Sequence, residues 1–526
     1  MVQKLSIRIA SIIILCCTSV LAAPPAKHNS IVRKAFESML LPKPLVIAAN
    51  NNDAVASSDS EDNNTPSRPA TSQERAKELG RESNEERPDE QLTVPLFGRP
   101  LTIGGEVDVE IDSRADFSLE NGRADDRILF NPDLELEFLY PIRDKLVFFG
   151  EVELEYDKDI RREDDDKQSD TTLSRGQTWL YASNLFGSNF GLQVGRQTIR
   201  DQREWWWDEK LDSIRLHYNR KRYNFEISFA EELGATATDE ELDPEEDDLK
   251  RLLASGGWNW ADRQRLESFL LMQNDDSSTP PEGGVLDQDD EDEFDADLTW
   301  LGLRAIGRIK NKSLGHFYYW ADAAVVRGDE KVIDFDDIDH ARSVVDDVEA
   351  RDVRGWALDL GATLRTKLKG EPRLTAGYAI TSNDDDLDDD VDRTFRQTGL
   401  QGNEDKFRSV DRFPYYGALL EPELSNLEIF TLGVGFPFLK NSSIDVVYHN
   451  YRQVEPADFL RDSRLRADPE GENTDIGKEL DLVVSLEEWE HWEAQISVGV
   501  FEAGRAFGEL DGETANRVVF ELEYNF

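Results

Sequence analysis

The ten residues Arg517-Val518-Val519-Phe520-Glu521-Leu522-Glu523-Tyr524-Asn525-Phe526 read as a strand with two unlike faces. Val518, Phe520, Leu522, Tyr524 and Phe526 fall on one side and Arg517, Glu521, Glu523 and Asn525 on the other, because successive strand side chains point in opposite directions. A soluble sheet can carry such a pattern. An apolar face ending in Tyr and Phe is also what the closing strand of an outer-membrane barrel shows, with lipid on one side and a wet lumen on the other.

Recurrence decides between them. From Leu101, the residues Ile103, Val107, Val109 and Ile111 oppose Glu106, Asp108, Glu110 and Asp112. Leu134, Leu136, Phe138 and Tyr140 then oppose Glu135 and Glu137, and Phe148, Val152, Leu154 and Tyr156 oppose Glu151, Glu153 and Glu155. Alternating runs continue at 172–183, 189–198, 211–218, 222–231, 265–273, 297–308, 315–327, 354–368, 373–382, 427–438, 443–452, 477–486, 493–503 and 516–526. A single-chain bacterial barrel holds an even number of strands, with short turns on the periplasmic side and long loops outside. That parity breaks between Glu232 and Gln264, where only 250–260 can supply another strand. The fold expected is therefore all-β: one antiparallel transmembrane barrel of eighteen strands. Its external loops lie at 232–249, 274–296, 328–353, 383–426 and 453–476.

Residues 1–23 carry Lys4 and Arg8, an apolar run from Ile9 to Val20 and then Leu21-Ala22-Ala23, the pattern of a cleaved secretory signal. The apolar run is about 12 residues, where a spanning helix needs about 20. Both cysteines, Cys16 and Cys17, lie inside it, so the mature chain offers no disulfide or thiol chemistry. Residues 24–95, polar and rich in Asn, Asp, Ser, Glu and Pro, read as a disordered acidic periplasmic leader with one short helical pattern near Glu74, and 96–526 as the barrel.

The 526 residues hold 60 Lys and Arg against 109 Asp and Glu, a formal charge of −49, which excludes general nucleic-acid binding through phosphate neutralisation. The acid runs Asp384-Asp385-Asp386 and Asp388-Asp389-Asp390 lack the spacing and central glycine of an EF-hand loop and read as solvated loop. The six histidines show no metal-ligand spacing and no phosphate loop follows a strand, so neither cofactor nor metal is expected, and no Ser/His couple marks an enzyme. Eighteen strands instead enclose an aqueous channel. Alternation offers Arg304, Arg365, Arg373, Arg452 and Arg517 as basic lining.

The segment Gly195-Arg196-Gln197-Thr198-Ile199-Arg200-Asp201-Gln202-Arg203-Glu204-Trp205-Trp206-Trp207-Asp208 resembles the alginate export porins of the Gram-negative outer membrane. So do Phe395-Arg396-Gln397-Thr398-Gly399-Leu400-Gln401, Asp411-Arg412-Phe413-Pro414-Tyr415-Tyr416-Gly417 and Thr474-Asp475-Ile476-Gly477 with Glu479-Leu480-Asp481. The likeness covers roughly 97–526, departing at Pro414, where a further basic residue is expected. It implies a monomeric outer-membrane barrel that passes a linear polyuronate, served by periplasmic export machinery. It also implies a constriction, or its ion-pair scaffold, at Arg196, Arg200, Asp208, Arg396, Lys406, Arg408 and Arg412. Guanidinium suits such work because it stays charged and meets carboxylate with two donors. Trp205, Trp206 and Trp207 are candidates for stacking on sugar rings, set against an aromatic belt or a packed loop, which is the favoured account. The acidic strands near the N-terminus oppose a polyanion, and net charge alone fits a general cation-preferring porin or a structural barrel.

Overall fold

The computed structural model describes residues 72–80 and 91–526, except 121–125, 162–168, 239–243, 245, 247, 278, 340 and 386–388. The expected signal peptide, most of the leader, and Asp386 and Asp388 lie outside the described residues.

Eighteen strands form one antiparallel barrel. They are β1 (Arg99–Ala115), β2 (Arg127–Arg143), β3 (Leu146–Arg161), β4 in two pieces (Ser169–Ser174 and Thr178–Ala182), β5 (Phe190–Arg200), β6 (Asp208–Asn219), β7 (Tyr223–Ala230), β8 (Leu249–Ala261) and β9 (Gln264–Asp275). The second half comprises β10 (Phe294–Asn311), β11 (Gly315–Asp339), β12 (Arg342–Thr366), β13 (Arg373–Thr381), β14 (Leu427–Pro437), β15 (Ser442–Gln453), β16 (Asp475–Trp489), β17 (Trp492–Ala503) and β18 (Thr514–Asn525). Each strand pairs with the next, and β1 closes on β18 from Glu106 opposite Asn525 to Ala115 opposite Asn516. Closure leaves no open edge, the condition for crossing lipid with strands.

The alternation has the expected sense. Ile214, Phe229, Leu301, Leu303 and Leu432 are about half exposed on the outer face, while Arg215, Arg304 and Thr431 beside them are buried inside. On a soluble protein such an apolar belt would be an association hazard; against lipid it is the solvent-matched face. Tyr223, Trp258, Trp260, Trp489 and Trp492 cluster beside the short turns, where amphipathic rings suit the interface.

Three expectations need correction. Residues 328–353 are not a loop: the β11–β12 ladder runs on from Gly328 opposite Val353 to Asp339 opposite Arg342. Above the bilayer a strand needs no apolar face, so charged cross-strand neighbours such as Glu330 and Arg351 hide it from a hydrophobicity reading. In the leader the short helical pattern near Glu74 does form a helix, but the last leader residues are not irregular. Ser72–Gly80 is a helix, α1, and Leu92–Leu96 pairs with the start of β1. Finally, the lumen is not simply open: the loops between β5 and β6 and between β13 and β14 fold inward and supply much of the buried apolar cluster.

Candidate functional site

The β5–β6 loop is pinned by a buried ionic lattice. Arg203 Nη1 donates to Asp322 at 2.6 Å and Nη2 to Asp359 at 2.9 Å, from β11 and β12. Arg304, on β10, donates to Asp322 at 2.5 Å and also to Asp201. Its side chain is wholly buried, so Arg304 faces the lumen as expected yet braces the loop rather than lining water. The Arg203 guanidinium lies 4.7 Å from the Tyr415 ring and 4.9 Å from that of Trp320, tying the two inward loops to the wall.

Trp205, Trp206 and Trp207 are 1%, 1% and 3% exposed, which closes them to sugar stacking and agrees with the packed-loop account. Trp206 stacks on Phe269 at 4.9 Å, and Trp205 Nε1 donates to the Tyr416 hydroxyl at 2.9 Å. A Cβ at Gly302 would fall 1.9 Å from the Trp206 ring, so the barrel wall is notched to receive it.

The β13–β14 loop crosses the lumen. Its root is fixed by Gln397, whose side chain exchanges hydrogen bonds with Asn403 and accepts one from Leu424 N, while Gln397 N donates to Glu423 at 2.5 Å. Arg396 is held by Glu330 and Asp392. Arg412 Nη2 lies 2.7 Å from Glu204, linking the two inward loops. At the tip, Val410 N donates to Ser443 Oγ at 3.2 Å and Gln495 Nε2 to Asp411 at 2.7 Å. On the other side the Arg408 guanidinium sits 4.1 Å from the Tyr318 ring, a few residues above the β10–β11 turn. The tip therefore spans from β11 to β15 and β17.

The other expected site residues do not form one ring of free cations. Arg196 pairs with Glu232 at 3.0 Å, and Arg200 with Asp208 and with Glu204 at 3.2 Å. Arg373 pairs with Asp445 and Arg517 with Asp112. Arg365 stands at the short-turn rim, 2.9 Å from Glu371. Lys406 Nζ donates to the Val410 carbonyl at 2.7 Å. Arg452 does not line the lumen: on β15 it falls on the same face as the exposed Ile444 and Val446, so it points outward and lies 3.5 Å from Thr474 Oγ1. Arg408 is exposed, and among the described residues it has the Tyr318 ring as neighbour and no ion pair.

Sequence reading missed Asp201, Arg203, Asp322 and Asp359, which mean something only once three distant strands and a loop meet. It also missed Arg308, whose guanidinium lies 5.9 Å from the same Tyr318 ring. Arg308 lies four residues beyond Arg304 on the same face, a signal that alternation contained. Arg308, Arg365 and Arg408 thus form a basic arc toward the short-turn end of β10–β12, whereas β1 and β18 line the opposite wall with Asp108, Glu110, Glu521 and Glu523.

Burial pushes the Glu204 carboxyl up to about 8, with Arg412 and Arg200 opposing the rise and Asp208 and Glu404 adding to it. Glu404 is pushed to about 7 by burial, again against Arg412. The contact between the two inward loops thus holds carboxyls raised toward neutrality by burial. Among the described residues Glu135, Glu137 and Glu151 approach to metal-ligand separation, but Lys210 Nζ already stands 3.2 Å from Glu151 as the cation there. In the acid run, Asp384 and Asp389 are bound by the Arg393 guanidinium at 3.1 and 2.6 Å.

Belt, closure, short turns and loop-braced lumen define a transport barrel of the outer membrane. The family model described as alginate export matches residues 99–521, and the chain belongs to that family. It is 26% identical to the alginate production protein AlgE of Pseudomonas aeruginosa over 69% of this chain and 77% of that one. It is 25% identical to AlgE of Pseudomonas syringae pv. tomato over 64% and 71%. The crystal structure of Acinetobacter baumannii OccAB1 shares the fold at 10% identity with a TM-score of 0.50, covering 85% of this chain and 99% of that one.

Proposed function

We propose that this barrel carries a linear polyuronate such as alginate from periplasm to cell exterior by passive diffusion, as a monomer fed by periplasmic export machinery. The chain would reach the barrel, residues 96–526, after removal of a signal at 1–23, with 24–95 as a periplasmic leader. The observation that carries the reading is Arg408, an exposed guanidinium at the tip of the loop crossing the lumen, unpaired among the described residues and backed by Tyr318. With Arg308 and Arg365 it offers carboxylates a cationic path along one wall. Single contacts in a wet pore are weak, so a polymer enters and still leaves.

The acidic wall at Asp108, Glu521 and Glu523 favours the second reading, a cation-preferring general porin. Planar-bilayer recordings separate the two. The exporter prefers anions and is blocked by oligouronates, and Arg408→Glu lowers anion preference roughly two- to fivefold. Cation preference without block assigns the general porin.

A further inference from the structure

The leader helix α1 sits inside the barrel, at the short-turn end. Ala76 is fully buried against Leu139, Val147, Phe149, Trp179 and Tyr181, all on inner faces of β2–β4, with Leu79 packed beside it. Gly80 closes the helix on the Phe149 ring, where a Cβ would come within 2.7 Å, and the Gly80 carbonyl accepts a hydrogen bond from the buried Gln177 amide at 3.2 Å. At the other end Ser72 Oγ lies 2.5 Å from Ser183 Oγ, beside the β4–β5 turn. Arg75 lies 3.9 Å from Glu226 on the inner face of β7. A segment expected to hang below the membrane is thus seated in the pore mouth by its own footprint.

We propose that α1 is a removable stopper of the periplasmic mouth, a reading that rests on the barrel being a channel and goes beyond what it transports. A helix with its side chains is about 10–12 Å across, enough to take a large share of a mouth that a single sugar chain must thread. Nine residues do not hold a helix in water, so α1 exists because the wall packs it. Its apolar contribution is one alanine and one leucine, a seat small enough to leave. Its other face presents Gln73, Glu74, Lys77 and Glu78, with Glu78 held by Arg75 at 2.9 Å, so two acids and two bases balance and the helix adds bulk rather than net charge to the mouth. Closure is therefore steric.

Two variants of the full chain test this in planar bilayers. Replacing residues 72–80 by a Gly/Ser segment of equal length removes the stopper, and single-channel conductance rises roughly twofold; unchanged conductance overturns occlusion. The double variant Ser72→Cys with Ser183→Cys ties the helix to the wall, in a mature chain that otherwise carries no cysteine. Oxidised channels conduct less than the same channels after reduction if the helix leaves its seat; equal conductance overturns withdrawal. Both readouts are conductances, so they stand apart from the anion-or-cation question, which the reversal potential in the same recordings answers.

Discussion

The charge where the two inward loops meet depends on single residues whose ionisation the barrel controls. Arg412 faces Glu204, and burial holds the Glu204 carboxyl up to about 8. Below that value the carboxyl is protonated and Arg412 keeps its charge; as pH rises through it the pair becomes neutral. Anion preference is therefore expected to fall between pH 6 and pH 9 in bilayer recordings, and Glu204→Gln, which cannot ionise, removes that fall. The sign for stability is the same. A carboxyl raised above its unfolded value favours the folded state at acid pH, and that contribution is lost as pH climbs from the unfolded value toward about 8. Arg304 tests a different property. It is wholly buried between Asp201 and Asp322, so Arg304→Met leaves Asp201 without its cation and Asp322 with Arg203 alone, and costs about 3–5 kcal/mol, read as a lower temperature for loss of the folded gel mobility.

At the scale of elements, the two inward loops behave as a core poured into a barrel. Trp206 stacks on Phe269 and fills the notch at Gly302, so Trp206→Ala leaves a cavity worth about 3–5 kcal/mol. Because Trp206 lines no path, its loss should lower melting temperature while leaving ion preference near wild type. The β13–β14 loop shows how legible such an element is. Its motif residues stood out in the sequence, and Arg396, Arg408 and Arg412 do reside in one inward loop. That Arg396 is spent on Glu330 whereas Arg408 is exposed was hidden, since the distinction depends on which strand passes beneath. The extended β11–β12 hairpin was equally hidden, because alternation carries a signal only where one face meets lipid.

At the scale of the whole molecule, the outer face is interchangeable grease and the inner face is specific. Leu301→Lys or Leu432→Lys, at exposed positions on the belt, is expected to cost about 2–4 kcal/mol and to reduce insertion into vesicles. Residue pattern alone was enough for the barrel and its strand number, because lipid imposes a strict two-residue period and chain parity imposes an even count. Even β8, whose own pattern is poor, followed from that parity. Folding in three dimensions was needed to show which cations are spent on scaffolding, what Trp205–Trp207 pack against, and that α1 sits within the barrel. Those facts rest on ion pairs and contacts between residues far apart in the chain, such as Arg203 with Asp359 and Ala76 with Trp179. No local period encodes which distant partners closure of a barrel will bring within reach.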